Sequence, residues 1–330
     1  MHSSKYARTL VDLIPFRAGT ELVTGTTLTD YFDSQEQEVS SLADLALRFS
    51  QVQALARSSG LKFYWRGQAN ADWGVHSSIH RAIAAQRALA VETIADDDVS
   101  NMEVRLVDEA RGWIRPSVGA RLTTIDLLAR LQHFGIPTRL IDFTSLPQVA
   151  MLFAVAEHPT VDGRLIIAAA RGVPSEEFRN SFSIPWIRDG VDRPVDWPRQ
   201  LFALDDQQDF LRITRQGGAF LVGGTPSTQP QRRVRGENMH AVDVRKSMSI
   251  PLVLHSWAQA EAAESGQPAR GRAATVASAL TLRIPTKAKN RLRTELDSLG
   301  INWAALFPDP DGLKAYGELT SSLVDALGQF

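Results

Sequence analysis

Cysteine is absent from the 330 residues. That excludes disulfides, thiolate zinc sites, iron–sulfur clusters and a cysteine nucleophile. Long apolar runs are also missing: none approaches eighteen residues, and polar and charged residues break up the first twenty. Neither a membrane span nor a secretory signal is read, so a cytoplasmic protein with no membrane partner is expected. Charge of one sign is not in excess, the net being −1, which excludes a globally basic nucleic-acid coat. Lysine is scarce, 6 of the 36 basic residues, and genome composition accounts for such a bias more simply than function does. The chain also lacks a glycine-rich phosphate loop, a Gly-x-Ser-x-Gly elbow and a His-Glu-x-x-His metal motif. Its seven histidines are scattered. His76 and His80 form the one helically spaced pair and read as a surface pair, so no metal site is expected.

What is present is core-forming material, 44% apolar against 22% charged, enough for one large domain or one domain with a small appendage. Ser41 with Asp44 resembles a capping box ahead of Leu42, Leu45, Phe49, Val52 and Leu55, and Gly60 suits the end of that helix. Lys62 to Gly67 reads as a short aromatic strand, and helical pattern resumes near Ser78 and runs past Arg87. Ser100 with Glu103 predicts a second capping box, opening a helix that stops by Pro116. Thr123 to Phe134 reads as a helix ended by Gly135, Thr138 to Phe143 as a strand, and Pro147 as the first turn of the next helix. Further strands are expected from Gly163, in two pieces within 201–222, and at Leu280 to Ile284, with a helix capped by Thr286 and closed by Gly300. Strands scattered among helices favour an α+β fold with a mixed, mainly antiparallel sheet. The expected organisation is an irregular lead-in over 1–37, an α+β domain over 38–284 with a polar loop or insertion at about 223–245, and a helical extension over 285–330.

Two polar segments stand out. Arg66 lies at a strand end beside Gly67. Arginine suits bidentate recognition of phosphate or carboxylate, and could equally pair with a buried acid such as Asp142. Gly67 would let a ligand, or another backbone, approach closely. His133 lies in the turn His133-Phe134-Gly135-Ile136-Pro137-Thr138-Arg139, where it could exchange protons with a ligand or fix the turn. Asp142 could act as a general base or pair with Arg66 or Arg139. Thr144 or Ser145 could cap the following helix. Gln216 could bind a ligand or satisfy a backbone group near Gly217.

Together these residues carry a family resemblance. Tyr64-Trp65-Arg66-Gly67-Gln68, then Val75 to Arg81, then the long string Gln132-His133-Phe134-Gly135-Ile136-Pro137-Thr138-Arg139-Leu140-Ile141-Asp142-Phe143-Thr144 resemble the FRG domain, named for its aromatic-Arg-Gly motif. Ala150, Phe153 and Ala154 follow on the next helix, and Gln216-Gly217-Gly218-Ala219-Phe220 looks like the family's Gln-Gly-x-Phe element. Ile284-Pro285, Leu299 to Asn302 and Leu306 to Leu313 extend the likeness to about residues 40–315. Trp65, Ser77 and the extra Gly218 depart from the pattern without removing a reactive group. A weaker resemblance, to the ADP-ribosyltransferase fold of the arginine-serine-glutamate type, implies a mechanism. Tyr64 to Gly67 looks like its first motif, and Asp142 to Ser145 with Ala150 and Phe153 like its second. In that scheme Arg66 holds the pyrophosphate or ribose of NAD⁺, and Thr144 or Ser145 shapes the nicotinamide pocket. The third motif departs: Gln216 stands near the place of the catalytic glutamate, the nearest downstream glutamate is Glu237, and Asp142 is the alternative source of charge.

The resulting expectation names His133, Asp142 and Gln216 as catalytic candidates. Arg66, Gly67, Arg139, Thr144 and Ser145 are the ligand-binding candidates. The expected protein is an NAD⁺-using transferase or glycohydrolase acting on a macromolecular acceptor, protein or nucleic acid, as a toxin or phage-defence effector. The alternatives are a non-catalytic module for a nucleotide or phosphate ligand, and a nucleic-acid-acting protein using Arg232 to Arg235 and Lys287 to Arg293.

Overall fold

The computed structural model describes residues 36–113, 122–187, 197–205, 214–226, 248–254, 257 and 277–307. Most of the expected lead-in, most of the 223–245 loop with Glu237, the Arg232 to Arg235 segment and the chain beyond 307 lie outside the described residues.

Helix α1 (Leu42–Ser59) starts at the capping box predicted for it: the Asp44 amide donates to Ser41 Oγ at 3.1 Å, and Asp44 Oδ2 accepts from the Ser41 amide at 3.0 Å. It stops at Gly60, whose φ of 68° lies in the left-handed region. The other helices are α2 (Ser78–Arg87), α3 (Asp96–Trp113), α4 (Thr124–His133), α5 (Pro147–Val155), α6 (Glu176–Asn180), α7 (Thr286–Ser298) and α8 (Trp303–Leu306). Helix α3 opens at Asp96, four residues before the expected cap, so Ser100 and Glu103 lie inside the helix. At α7 the preceding residue is Pro285, and Thr286 binds Asp162 instead of capping.

The strands are β1 (Gln37–Glu38), β2 (Lys62–Gln68), β3 (Ile141–Thr144), β4 (Gly163–Gly172), β5 (Leu201–Leu204), β6 (Gly218–Gly223), β7 (Leu252–Leu254) and β8 (Ala277–Ile284). They form one mixed sheet in the order β1-β8-β4-β2-β3-β6-β5, with β7 also on β8. The β1–β8, β7–β8 and β4–β5 pairs are parallel and the others antiparallel, so the fold is α+β with a mainly antiparallel sheet. Because β5 also pairs with the far end of β4, at Arg171↔Phe202 and Gly172↔Ala203, strands β4, β2, β3, β6 and β5 close into a ring.

Alternation along the strands explains the packing. Every second residue, including Tyr64, Phe143, Ile166, Ala168, Ala203, Ala219 and Leu221, belongs to one core, and the alanines among them suit the narrow interior of a small ring. The opposite residues of β4 and β8, such as Leu165, Ile167 and Leu282, meet α1, α5 and α7 in a second core. Phe202, Leu204, Phe220 and Val222 meet α3 and α4 in a third.

Candidate functional site

Helix α5 lies unusually close to β2. A Cβ on Gly67 would fall 1.8 Å from the Ala150 carbonyl oxygen, and one on Gly163 would fall 2.5 Å from that of Ala154. The backbone that approaches Gly67 is therefore a helix. Beside this contact a cleft of about 370 Å³ opens between β2, β3, the start of β6, the end of α4, α5 and α8. Arg66, Gly67, His133, Asp142, Thr144 and Gln216, far apart in the chain, all line it.

Arg66 is half-buried and lines the cleft. One terminal nitrogen donates to the Asp142 main-chain carbonyl at 2.7 Å, and the buried Nε has no protein partner. Burial pulls the Arg66 pKa below its ordinary value; the Asp142 charge opposes this, and Arg81 adds to it. The Asp142 carboxylate is exposed and accepts from the Gln132 amide at 3.1 Å. Gln132 is held in turn by the Thr138 hydroxyl, which donates to its Oε1 at 2.7 Å. His133 is half-buried and meets the Phe134 ring edge-on, with centroids 5.4 Å apart.

Thr144 and Ser145 do not cap α5. Its N-cap is Leu146, without a side-chain bond, and Pro147 in the first turn has no N–H to satisfy. The Thr144 hydroxyl donates to the Gln216 carbonyl at 2.5 Å and accepts from the Leu146 amide at 2.9 Å, tying β3 to the turn before β6. Ser145 does not line the cleft and donates to the Gly217 carbonyl at 3.2 Å. Gln216 donates its side-chain amide to the Leu306 carbonyl at 3.2 Å, which fastens α8 over one wall.

Arg139 corrects the expectation of a ligand-binding role. It is fully buried outside the cleft, with Nε on Glu103 at 2.9 Å, one terminal nitrogen on Asp96 at 2.6 Å and the other on Ser100 at 3.0 Å. Trp186 donates to the same Glu103 oxygen, and the Trp197 ring lies 5.7 Å from the guanidinium carbon. Burial works against the Arg139 charge, but Glu103 and Asp96 outweigh it and make the group more basic than usual. Ser100 and Glu103, expected as a helix cap, are thus ligands of an arginine. The His76/His80 pair is likewise buried and not on the surface: His80 bridges the Ser77 hydroxyl at 2.7 Å and that of Thr225 at 3.0 Å. Among the described residues no group of metal-binding side chains is found.

Sequence reasoning missed part of the cleft. Gln132 opens the quoted motif, so its position was visible though not its role. Glu157 stands two residues past the end of α5 and lines the cleft with Phe153. Trp73 and Trp303 carried no local signal. Phe153 meets Trp303 edge-on at 5.3 Å, and Trp73 meets His158 edge-on at 5.0 Å. Behind this wall the buried Lys289 donates to the carbonyls of Ala69 at 2.5 Å, Glu157 at 3.2 Å and His158 at 3.0 Å, holding the end of α5 against the turn after β2.

The FRG domain model matches residues 61–163, so the chain carries an FRG domain there. The matched stretch contains Arg66, Gly67, His133, Asp142 and Glu157, while Gln216 and Trp303 come from beyond it. No curated protein and no solved structure matches the chain. No helix among the described residues is long and apolar enough to cross a membrane.

Proposed function

We propose that the cleft binds a nucleotide, with NAD⁺ the first ligand to test, and that the protein breaks the bond between nicotinamide and ribose. The observation that carries this reading is Arg66: a half-buried guanidinium lining a 370 Å³ cleft, with its buried Nε unpartnered and aromatic rings along the same cavity. An arginine left with a spare donor beside a cleft is suited to a phosphate oxygen. In the proposed step the glycosidic electron pair leaves with nicotinamide. The ribosyl carbon, left with cationic character, is attacked by an acceptor hydroxyl or water, whose proton passes to solvent. The carboxylates available to stabilise that charge are Asp142 and Glu157. Gln216 is assigned a supporting role, because its amide is engaged by Leu306.

A binding module without turnover is the second reading. It is favoured by Gln216, which is an amide and not a carboxylate at the place the transferase resemblance would require, and is itself engaged by Leu306. Purified protein and Arg66→Ala should be incubated with NAD⁺, with and without nucleic acid or cell lysate as acceptor, while nicotinamide release and NAD⁺ affinity are followed. The enzymatic reading expects release by the parent chain and a loss of about tenfold or more in affinity with Arg66→Ala. Binding without release under any condition would leave the module. Absence of both would remove the nucleotide reading.

A further inference from the structure

Of the two carboxylates that line the cleft, Asp142 and Glu157, Asp142 is the one held by a side chain among the described residues. Gln132, near the end of α4, donates its amide nitrogen to Asp142 Oδ2 at 3.1 Å. Gln132 Oε1 accepts from the Thr138 hydroxyl at 2.7 Å and from the Ser78 hydroxyl, at the start of α2, at 3.4 Å. Both hydroxyls are themselves placed. Thr138 Oγ1 accepts from the Leu140 amide at 3.2 Å, and Ser78 Oγ accepts from the Thr138 amide at 3.0 Å. The Ser78 proton is shared with the Thr138 carbonyl, at 3.1 Å. Turned over, the Gln132 amide would set its oxygen against a carboxylate oxygen, two acceptors with no proton between them. Its N–H therefore faces Asp142. A second anchor is the Asp142 main chain, whose carbonyl accepts from Arg66 at 2.7 Å. Arg66 thus lies beside Asp142 without being spent on its carboxylate. Asp142 Oδ1 is left with no hydrogen-bond partner among the described residues, in a cleft that also holds the unpartnered Arg66 Nε. A spare acceptor and a spare donor stand on neighbouring residues. Their complement is a ligand with an anionic oxygen and, close to it, a hydroxyl.

We infer that Gln132 is a positioning residue, through which Asp142 presents Oδ1 to a hydroxyl of the ligand's sugar while Arg66 takes the adjoining phosphate. This rests on the nucleotide reading and chooses Asp142 over Glu157 as the carboxylate that meets the ligand. That carboxylate comes from β3 and is set by α4, whereas the transferase resemblance would draw it from the place of Gln216. Ser78 and Thr138 act one step further back, fixing Gln132 without lining the cleft.

The test is titration calorimetry of the full chain with ADP-ribose and with inorganic pyrophosphate. Pyrophosphate reads the anion site alone, and ADP-ribose adds the sugars and the base. Asp142→Ala and Gln132→Leu should each weaken ADP-ribose binding about tenfold, the order of a hydrogen bond to a charged group, and leave pyrophosphate binding no weaker. In the Asp142→Ala background, Gln132→Leu should add no further loss, because Gln132 acts through Asp142. Thermal melting reports whether the variants fold. Should Gln132→Leu fail to fold, Gln132→Glu keeps an acceptor for Thr138 and Ser78 and replaces only the donor. Its loss of ADP-ribose affinity should shrink in the Asp142→Ala background, where two carboxylates no longer face each other. Additive losses in the double variant, no loss in the single variants, or a fall in pyrophosphate affinity equal to that for ADP-ribose overturns the positioning role but leaves a nucleotide cleft. Failure of both compounds to bind the parent chain overturns the nucleotide reading and this inference with it.

Discussion

Arg66 donates to a main-chain carbonyl and keeps a donor in reserve, whereas Arg139 spends its guanidinium on two carboxylates and a hydroxyl. The difference lies in what surrounds them. Asp96, Ser100 and Glu103 lie along two turns of α3 and make a receptor that fits the planar fork of Arg139 and buries it fully. Removing one partner from such a pair leaves the other charged and buried. Arg139→Ala is expected to cost about 3–5 kcal/mol of stability. Urea unfolding followed by circular dichroism would measure it, and a cost no larger than that of an ordinary surface substitution would show that Glu103 needs no partner.

At the scale of elements, the cleft depends on junctions. Helix α5 can lie against β2 and β4 only because Gly67 and Gly163 have no side chains. Its start is joined to the turn before β6 by Thr144, and that turn is joined to α8 by Gln216 and by Arg215, which donates to the Ala305 carbonyl at 3.4 Å. Thr144→Val keeps the shape but leaves the Gln216 carbonyl and the Leu146 amide without this partner. A loss of about 1–3 kcal/mol is expected for a buried polar group so abandoned. Because Gln216 and α8 border the cleft, ligand affinity should fall together with the melting temperature. Unchanged affinity in a destabilised variant would show that the Thr144 link supports the fold alone.

For the whole molecule, acid should be the destabilising direction at three carboxyls, with Glu103, whose carboxyl burial pushes up, acting in the opposite sense. The Ser40 and Ser41 amides hold the Asp44 carboxyl below the usual carboxylate range, and Arg87 does the same for Asp98. At Asp162 burial pushes upward, but bonds from Thr286 and attraction to Arg283 outweigh it, and the net shift is again downward. A carboxyl whose folded pKa is lowered contributes stability that is fully present above its unfolded value. That contribution is lost as pH falls through the folded one. Stability should therefore hold between about pH 7 and pH 5 and decline below about pH 4. Denaturant midpoints measured across that range would check the sign, and a midpoint that rises on acidification would contradict it.

Local chemistry was legible in the sequence wherever the interaction is local. The Ser41–Asp44 box, the left-handed Gly60 and Gly135, the Pro147 turn and the aromatic strand β2 all concern residues within a few positions of one another. The motif residues Arg66, His133, Asp142, Thr144 and Gln216 could be picked out as polar groups in an otherwise apolar setting, and the ring of strands brings them to one cleft. Arg139, Ser100, Glu103 and the two buried histidines could not be read in this way. Whether a charged side chain faces a ligand or another charge depends on which helix packs over it, and α3 and β3 meet only in the folded chain. The same reason hid Trp73, Glu157 and Trp303. Each looks like an ordinary surface residue until strand pairing, helix packing and the Lys289 clamp set it beside Arg66 and so define the cavity.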